Sequence, residues 1–222
     1  MTPKLLKRFC STVAAALATV AVWGGTATAI PIPLFNTGTD ATNTAWGAAN
    51  VPDIHYFYTL SPTAGPPVTV DSTIWPIFGG PWVPNNANSQ WIGPDQSSQG
   101  PAGNYTYATQ FILPPTTNLS TVSVSGMWGT DDWGLDIEIN TIPTGQVSAG
   151  FTTLVPFSIT SGFQIGLNTI EFLLQNAGGP TGLRVDKIQG SYSLIPEPGT
   201  FALAAAGLAG IAAIRRRRAA TL

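Results

Sequence analysis

Cysteine is nearly missing from this chain: its 222 residues hold one, Cys10. That residue lies in an N-terminal stretch with the marks of a removable leader, so the exported protein has no disulfide, thiol nucleophile or thiolate metal site. Charge is scarce too, at 9% of residues, and there is a single histidine, His55. Between residues 30 and 194 only Arg184 and Lys187 are basic, against ten acidic side chains, which leaves this span at net −8 while the whole chain stands at −2. A surface so acidic and without a basic patch repels phosphate backbones, which excludes nucleic acid as a partner. Long helical periodicity is also missing, so no helix layer is available to cover a parallel sheet.

What is present sits first at the two ends. Lys4, Lys7 and Arg8 precede the apolar stretch 9–25, and Ala27-Thr28-Ala29 follows as a small-x-small cleavage site. This is the layout of a secretory signal peptide over 1–29, with a mature chain that begins at Ile30. Cys10 follows Lys7-Arg8-Phe9, which is no lipidation box. At the other end stand Ile195, Pro196, Glu197 and Pro198, then an apolar run over 201–214, then Arg215, Arg216, Arg217 and Arg218. The two prolines hold Glu197 in an extended, displayed peptide. As a helix the run is about 21 Å long, short of a hydrocarbon core of about 30 Å. The arginines stop transfer, because each costs roughly 3 kcal/mol to bury in lipid, so the preceding domain lies outside.

Those C-terminal residues resemble the PEP-CTERM sorting signal of Gram-negative bacteria, with Ile195 in place of the usual valine. The resemblance implies export by the general secretion machinery and recognition by an exosortase, a membrane-embedded protease or transpeptidase, in bacteria that make extracellular polysaccharide. It also implies a membrane contact through the C-terminal helix before processing, and a final place at the cell surface or in the extracellular matrix. The domain division is therefore signal peptide 1–29, folded domain 30–194 and sorting signal 195–222, the last made of motif 195–200, transmembrane helix 201–214 and basic tail 215–222.

The central span reads as all-β. Tyr105, Tyr107, Thr109, Phe111 and Leu113 alternate with Thr106, Ala108, Gln110 and Ile112, the period-two pattern of a strand with one buried face. Similar strands are expected over 54–60, 119–128, 135–139, 151–159 and 168–175, with shorter ones at 68–70 and 74–78. Residues 79–103 read as loops around one short edge strand. The last strand, 183–194, changes parity between Val185 and Ile188, which predicts a β-bulge near Asp186-Lys187. Short strands separated by turn signals predict a jelly-roll-like β-sandwich, between an N-terminal signal helix and a short C-terminal transmembrane helix. The stretch from Phe163 to Phe172, with Gly166-Leu167-Asn168-Thr169-Ile170 and then Gly182-Leu183-Arg184-Val185, resembles galactose-binding-like sandwiches of secreted bacterial proteins. Such domains often bind carbohydrate.

Chemistry-bearing residues are few. A serine triad has to use His55, which sits in an aromatic strand with no Gly-x-Ser-x-Gly elbow in the chain. Asp136 and Glu138, two apart on one strand, stand about 7 Å apart, the spacing of an inverting glycosidase pair, but on the solvated side of Leu135, Ile137 and Ile139. Asp131 and Asp132, beside Trp133-Gly134, are candidate oxygen ligands for Ca²⁺. Trp75, Trp82 and Trp133, next to proline, glycine or aspartate, are candidate stacking faces for sugar rings. The expected role is a non-catalytic binding or structural module of the exopolysaccharide matrix. The alternatives are a glycoside-active enzyme and an ice-binding surface protein, which needs a flat threonine ladder that Thr37, Thr39, Thr42 and Thr44 do not continue.

Overall fold

A computed structural model describes residues 28–148, 150–195 and 206–213. Thirteen strands occur in chain order: β1 (Ile30–Ile32), β2 (Phe57–Leu60), β3 (Val68–Thr69), β4 (Ile92–Gly93), β5 (Gln99–Gly100), β6 (Gly103–Leu113), β7 (Thr117–Asp131), β8 (Trp133–Ile139), β9 (Ile142–Pro143), β10 (Val155–Ile159), β11 (Gly166–Asn176), β12 (Gly179–Pro180) and β13 (Gly182–Leu194). One sheet runs β10-β7-β13-β4-β3, with β1 also on β13; the other runs β2-β6-β11-β8-β9; β5 and β12 pair by themselves. Every pairing is antiparallel. All of this lies in one compact unit, Ala27–Ile195.

The two large sheets form a β-sandwich because each presents one apolar face to the other. Val122, Val124, Trp128, Phe157 and Val185 of the first meet Tyr105, Phe111, Ile137, Phe172 and Leu174 of the second in a single buried cluster. Phe172 is its centre, with ring centroids 5.7 Å from both Trp128 and Phe157. Burial of these rings in tight contact supplies most of the favourable free energy in a protein that has no disulfide. Gly134 has no room for a side chain, since a Cβ there would lie 2.7 Å from the Trp128 indole.

The alternation over 103–113 forms β6, which pairs with β11 in unbroken register from Gly103 to Leu113. The expected bulge is present: the register of β13 against β7 shifts between Asp186 and Gln189, and Lys187 takes φ +54°. Between β8 and β9 the turn residues Asn140 and Thr141 have φ +51° and +66°, the two-residue turn whose twist suits a hairpin.

Three expectations need correction, and one strand lies where the sequence offers no pattern. Residues 74–78 are not a strand: Pro76 offers no N–H to a ladder, and the N–H groups of Ile77 and Phe78 both donate to the Ile74 carbonyl, which closes a turn. Residues 79–103 hold two short strands rather than one edge strand: β4 lies between β13 and β3, and β5 pairs only with β12. Leu135 does not share the inward face with Ile137 and Ile139. Leu173 pairs with Asp136 and Leu174 with Gly134, so Leu135 is the extra residue of a bulge and is 43% exposed. Finally β1, broken by Pro31 and so invisible as a pattern, lies at an outer position where a missing N–H is tolerated.

Candidate functional site

A second, smaller core lies under the loops, where Val70, Ile77, Trp82 and Trp91 pack together with Phe151 against them. It gathers three segments distant in sequence. Trp82 lies on Trp91 with centroids 4.2 Å apart, and its indole N–H donates to Asp131 Oδ2 at 2.7 Å. Asp131 ends β7 and Trp133 begins β8, so Asp132 is the whole connection between the two sheets at this point. The Asp131 carbonyl accepts from the Thr181 hydroxyl at 2.8 Å, and Asp132 Oδ2 accepts from the Ala177 N–H at 2.7 Å. The loop before Trp82, the turn 131–133 and the β11–β12 connection are thereby clamped to one another.

Burial pushes the Asp131 carboxyl up to about 7; the adjacent Asp132 carboxyl adds to the rise, and the Trp82 N–H opposes it. Desolvation disfavours the anion here, so the protonated Asp131 carboxyl is the favoured state at mildly acid pH.

Three large apolar side chains stand out from this clamp: Trp75 at 54% exposure, Phe78 at 71% and Trp133 at 56%. Their backbone is fixed. Asp71 Oδ1 accepts the N–H and hydroxyl of Thr73, Ile77 is held in the small core, and the backbone N–H of Trp82 donates to the Pro76 carbonyl. Neighbours on one turn thus divide: Ile77 faces in while Trp75 and Phe78 face out. Trp133 pairs with Gln175 of β11 and keeps its indole outside the sandwich.

Trp82 is corrected as a stacking candidate. At 2% exposure it offers no face to a sugar, because its ring is committed to Trp91 and its N–H to Asp131. Phe78 escaped the sequence reading, which searched tryptophans alone, although its Gly79-Gly80-Pro81 sequel marks the same loop.

The remaining candidates are placed as follows. Of the Ca²⁺ candidates, Asp131 Oδ2 accepts the Trp82 indole N–H and Asp132 Oδ2 accepts the Ala177 N–H, and among the described residues no three His, Cys, Asp or Glu side chains converge to hold a metal. Asp136 Oδ1 accepts the N–H groups of Gly145 and Gln146 and anchors that loop. Glu138 lies opposite Glu171 across β8 and β11; burial, then the Glu171 and Asp136 charges, raise its carboxyl. Glu171 accepts the Thr59 hydroxyl at 2.7 Å. His55 stacks flat on Phe35 at 3.7 Å. Thr37 and Thr39 are fully buried, which breaks the short threonine series.

Of the sorting signal, Ile195 is exposed and its N–H donates to the Thr116 carbonyl at 2.8 Å. Pro196, Glu197, Pro198 and Arg215 to Arg218 lie outside the described residues. Residues 206–213 are helical, and no described helix is long and apolar enough to cross a membrane.

Three solved structures similar in shape are a family 35 carbohydrate-binding module from Paenibacillus barcinonensis (14% identity, 64% of this chain and 94% of that one, TM-score 0.32), a family 35 module from Clostridium thermocellum (13%, 63% and 88%, TM-score 0.30) and a variant of a family 29 module (12%, 74% and 92%, TM-score 0.34). No curated protein matches the sequence. A family description does match the C-terminal end: residues 194–218 are a PEP-CTERM protein-sorting motif, so the chain carries the signal of an exported, exosortase-processed surface or extracellular protein of Gram-negative bacteria.

Proposed function

We propose that the protein is a non-catalytic surface module that holds extracellular polysaccharide by aromatic stacking on Trp75, Trp133 and Phe78. One observation carries the reading. Of the tryptophans in the loop region, Trp82 and Trp91 are spent on the small core, whereas Trp75 and Trp133 stay more than half exposed on segments locked together by the bond from Trp82 to Asp131. A folded domain gains little stability from such exposed rings, and the flat apolar face of an indole is what a pyranose ring stacks on. Binding at each shallow site is weak and gains strength when many sorted copies meet one polymer.

The test is affinity electrophoresis through neutral polysaccharides. Trp75→Ala and Trp133→Ala should lose retardation while the melting temperature stays within about 2 °C of the parent, since exposed residues contribute little to stability. Unchanged retardation in both variants, on polymers that retard the parent, removes the stacking surface from the account.

A glycoside-cleaving reading has one observation behind it, the cross-strand opposition of Glu138 and Glu171. Both lie on the outer face of their sheet, and Glu171 is already engaged by Thr59. Release of reducing sugar that disappears in Glu138→Gln is the result that favours it.

A further inference from the structure

A polar cleft of about 420 Å³ opens beside the bulge in β13, lined by Asn36, Asn43, Asn88, Lys187, Ile188 and Gln189. Its size falls at the small end of clefts that take small molecules. Asn36, 5% exposed, braces all three walls. Its N–H donates to Asn43 Oδ1 at 2.8 Å, its Nδ2 to the Asn88 carbonyl at 3.0 Å, and its Oδ1 accepts the Ile188 N–H at 2.9 Å. The cleft is therefore held open by a buried side chain and needs no ordering when a ligand arrives.

What faces the cleft is unspent. Asn43 uses only its oxygen, and the side chains of Asn88, Lys187 and Gln189 donate to no described residue. Lys187 is the only exposed basic side chain among the described residues. The one ion pair among them joins Arg184 to Asp186 at 3.8 Å, so the neighbouring charges offset each other and the Lys187 ammonium is without a carboxylate partner in a strongly acidic domain. The bulge sets it there. Between Asp186 and Gln189 the register slips, and Lys187 adopts φ +54°, a backbone state that glycine or asparagine takes at lower strain. A lone cation among amide donors and acceptors suits a ligand that pairs one carboxylate with several hydroxyls.

We propose that this cleft is a second sugar subsite, specific for a carboxylated sugar residue, in which Lys187 meets the carboxylate and Asn43, Asn88 and Gln189 meet the ring hydroxyls. The inference rests on the polysaccharide reading above and narrows it. The acidic surface repels a dense polyanion, so the suited polymer is one with isolated uronic acid residues among neutral ones.

Titration calorimetry of the purified protein with a neutral oligosaccharide ended by one glucuronic acid, and with the same compound after carboxyl reduction, tests it. The acid form should bind about tenfold more tightly, the scale of one charge-assisted hydrogen bond. Lys187→Gln should erase that difference, Asn88→Ala should weaken the acid form, and Trp133→Ala should weaken both forms alike. No preference in the parent, a preference that survives Lys187→Gln, or equal competition by a sulfated oligosaccharide without carboxylates overturns the subsite. If Trp75→Ala and Trp133→Ala leave both ligands untouched while the Lys187-dependent preference stands, the cleft is upheld and the aromatic surface is the part that fails.

Discussion

The indole N–H of Trp82 donates to Asp131 Oδ2 at 2.7 Å across 49 positions of sequence, and this bond joins the loop that presents Trp75 and Phe78 to the turn that presents Trp133. Trp82→Phe keeps most of the ring volume but leaves a buried carboxyl without its donor, at a stability loss of about 1–3 kcal/mol in urea unfolding. Trp82→Ala empties the small core as well and should lose about 3–5 kcal/mol. A Trp82→Phe protein as stable as the parent contradicts the brace.

The same carboxyl makes stability depend on pH. The folded protein keeps the Asp131 proton up to about pH 7, whereas the unfolded chain releases it near the ordinary aspartate value of about 4. The folded state binds more protons in that window, so the contribution of this group to stability falls as pH rises from about 4 to 7 and is level on either side. Buried Asp53, raised as well, acts in the same direction. The diagnostic quantity is therefore the difference between parent and Asp131→Asn, which still accepts the Trp82 N–H but carries no charge. Melting temperatures should converge near pH 4 and separate in favour of the variant by pH 8.

Calcium should leave the melting curve where it is. Asp131 and Asp132 already accept from Trp82 and Ala177, and a ligand that stabilises only the native state announces itself by raising the melting temperature. A clear rise in millimolar Ca²⁺ over chelator, absent in Asp132→Asn, identifies the pair as ligands.

Processing is read by intact mass. Protein recovered from a host with an active exosortase should begin at Ile30 and lack Arg215 to Arg218, because residues 194–218 match a sorting motif and the N-terminal stretch has the layout of a secretory signal peptide. Retention of the four arginines identifies a permanent tail anchor instead.

Phe172 offers a control on the sandwich itself. It is fully buried and touches both sheets, so Phe172→Ala should lose about 3–5 kcal/mol and abolish every binding readout by unfolding. A folded, fully stable Phe172→Ala protein is incompatible with this core.

Long paired strands were legible because pairing and burial write the same period. From Tyr105 to Leu113 every odd-numbered residue of β6 is buried as the alternation requires, although Thr106 and Ala108 on the second face are covered as well and only Gln110 and Ile112 are exposed, and the parity change between Val185 and Ile188 placed the β13 bulge within two residues. Leu135 was misread for a related reason. Its alternation with Ile137 is intact in the sequence, but the extra residue is counted against Leu173 and Leu174 on another strand, and no local pattern records a partner's register.

By itself the sequence determined the sorting motif and the architecture. A sorting signal is read by other proteins as an extended local peptide, and period-two burial follows from strand geometry alone. Which tryptophan faces water was decided only by the tertiary structure. Trp75 and Trp82 have equivalent surroundings, each next to a proline in a glycine-bearing loop, yet one is 54% exposed and the other 2%. What separates them is the arrival of Trp91 and Asp131, from distant parts of the chain, on one indole and not the other. The cleft at Lys187 has the same origin, because its walls come from residues 36–43, 88 and 187–189 and exist only once Asn36 has bonded to all three.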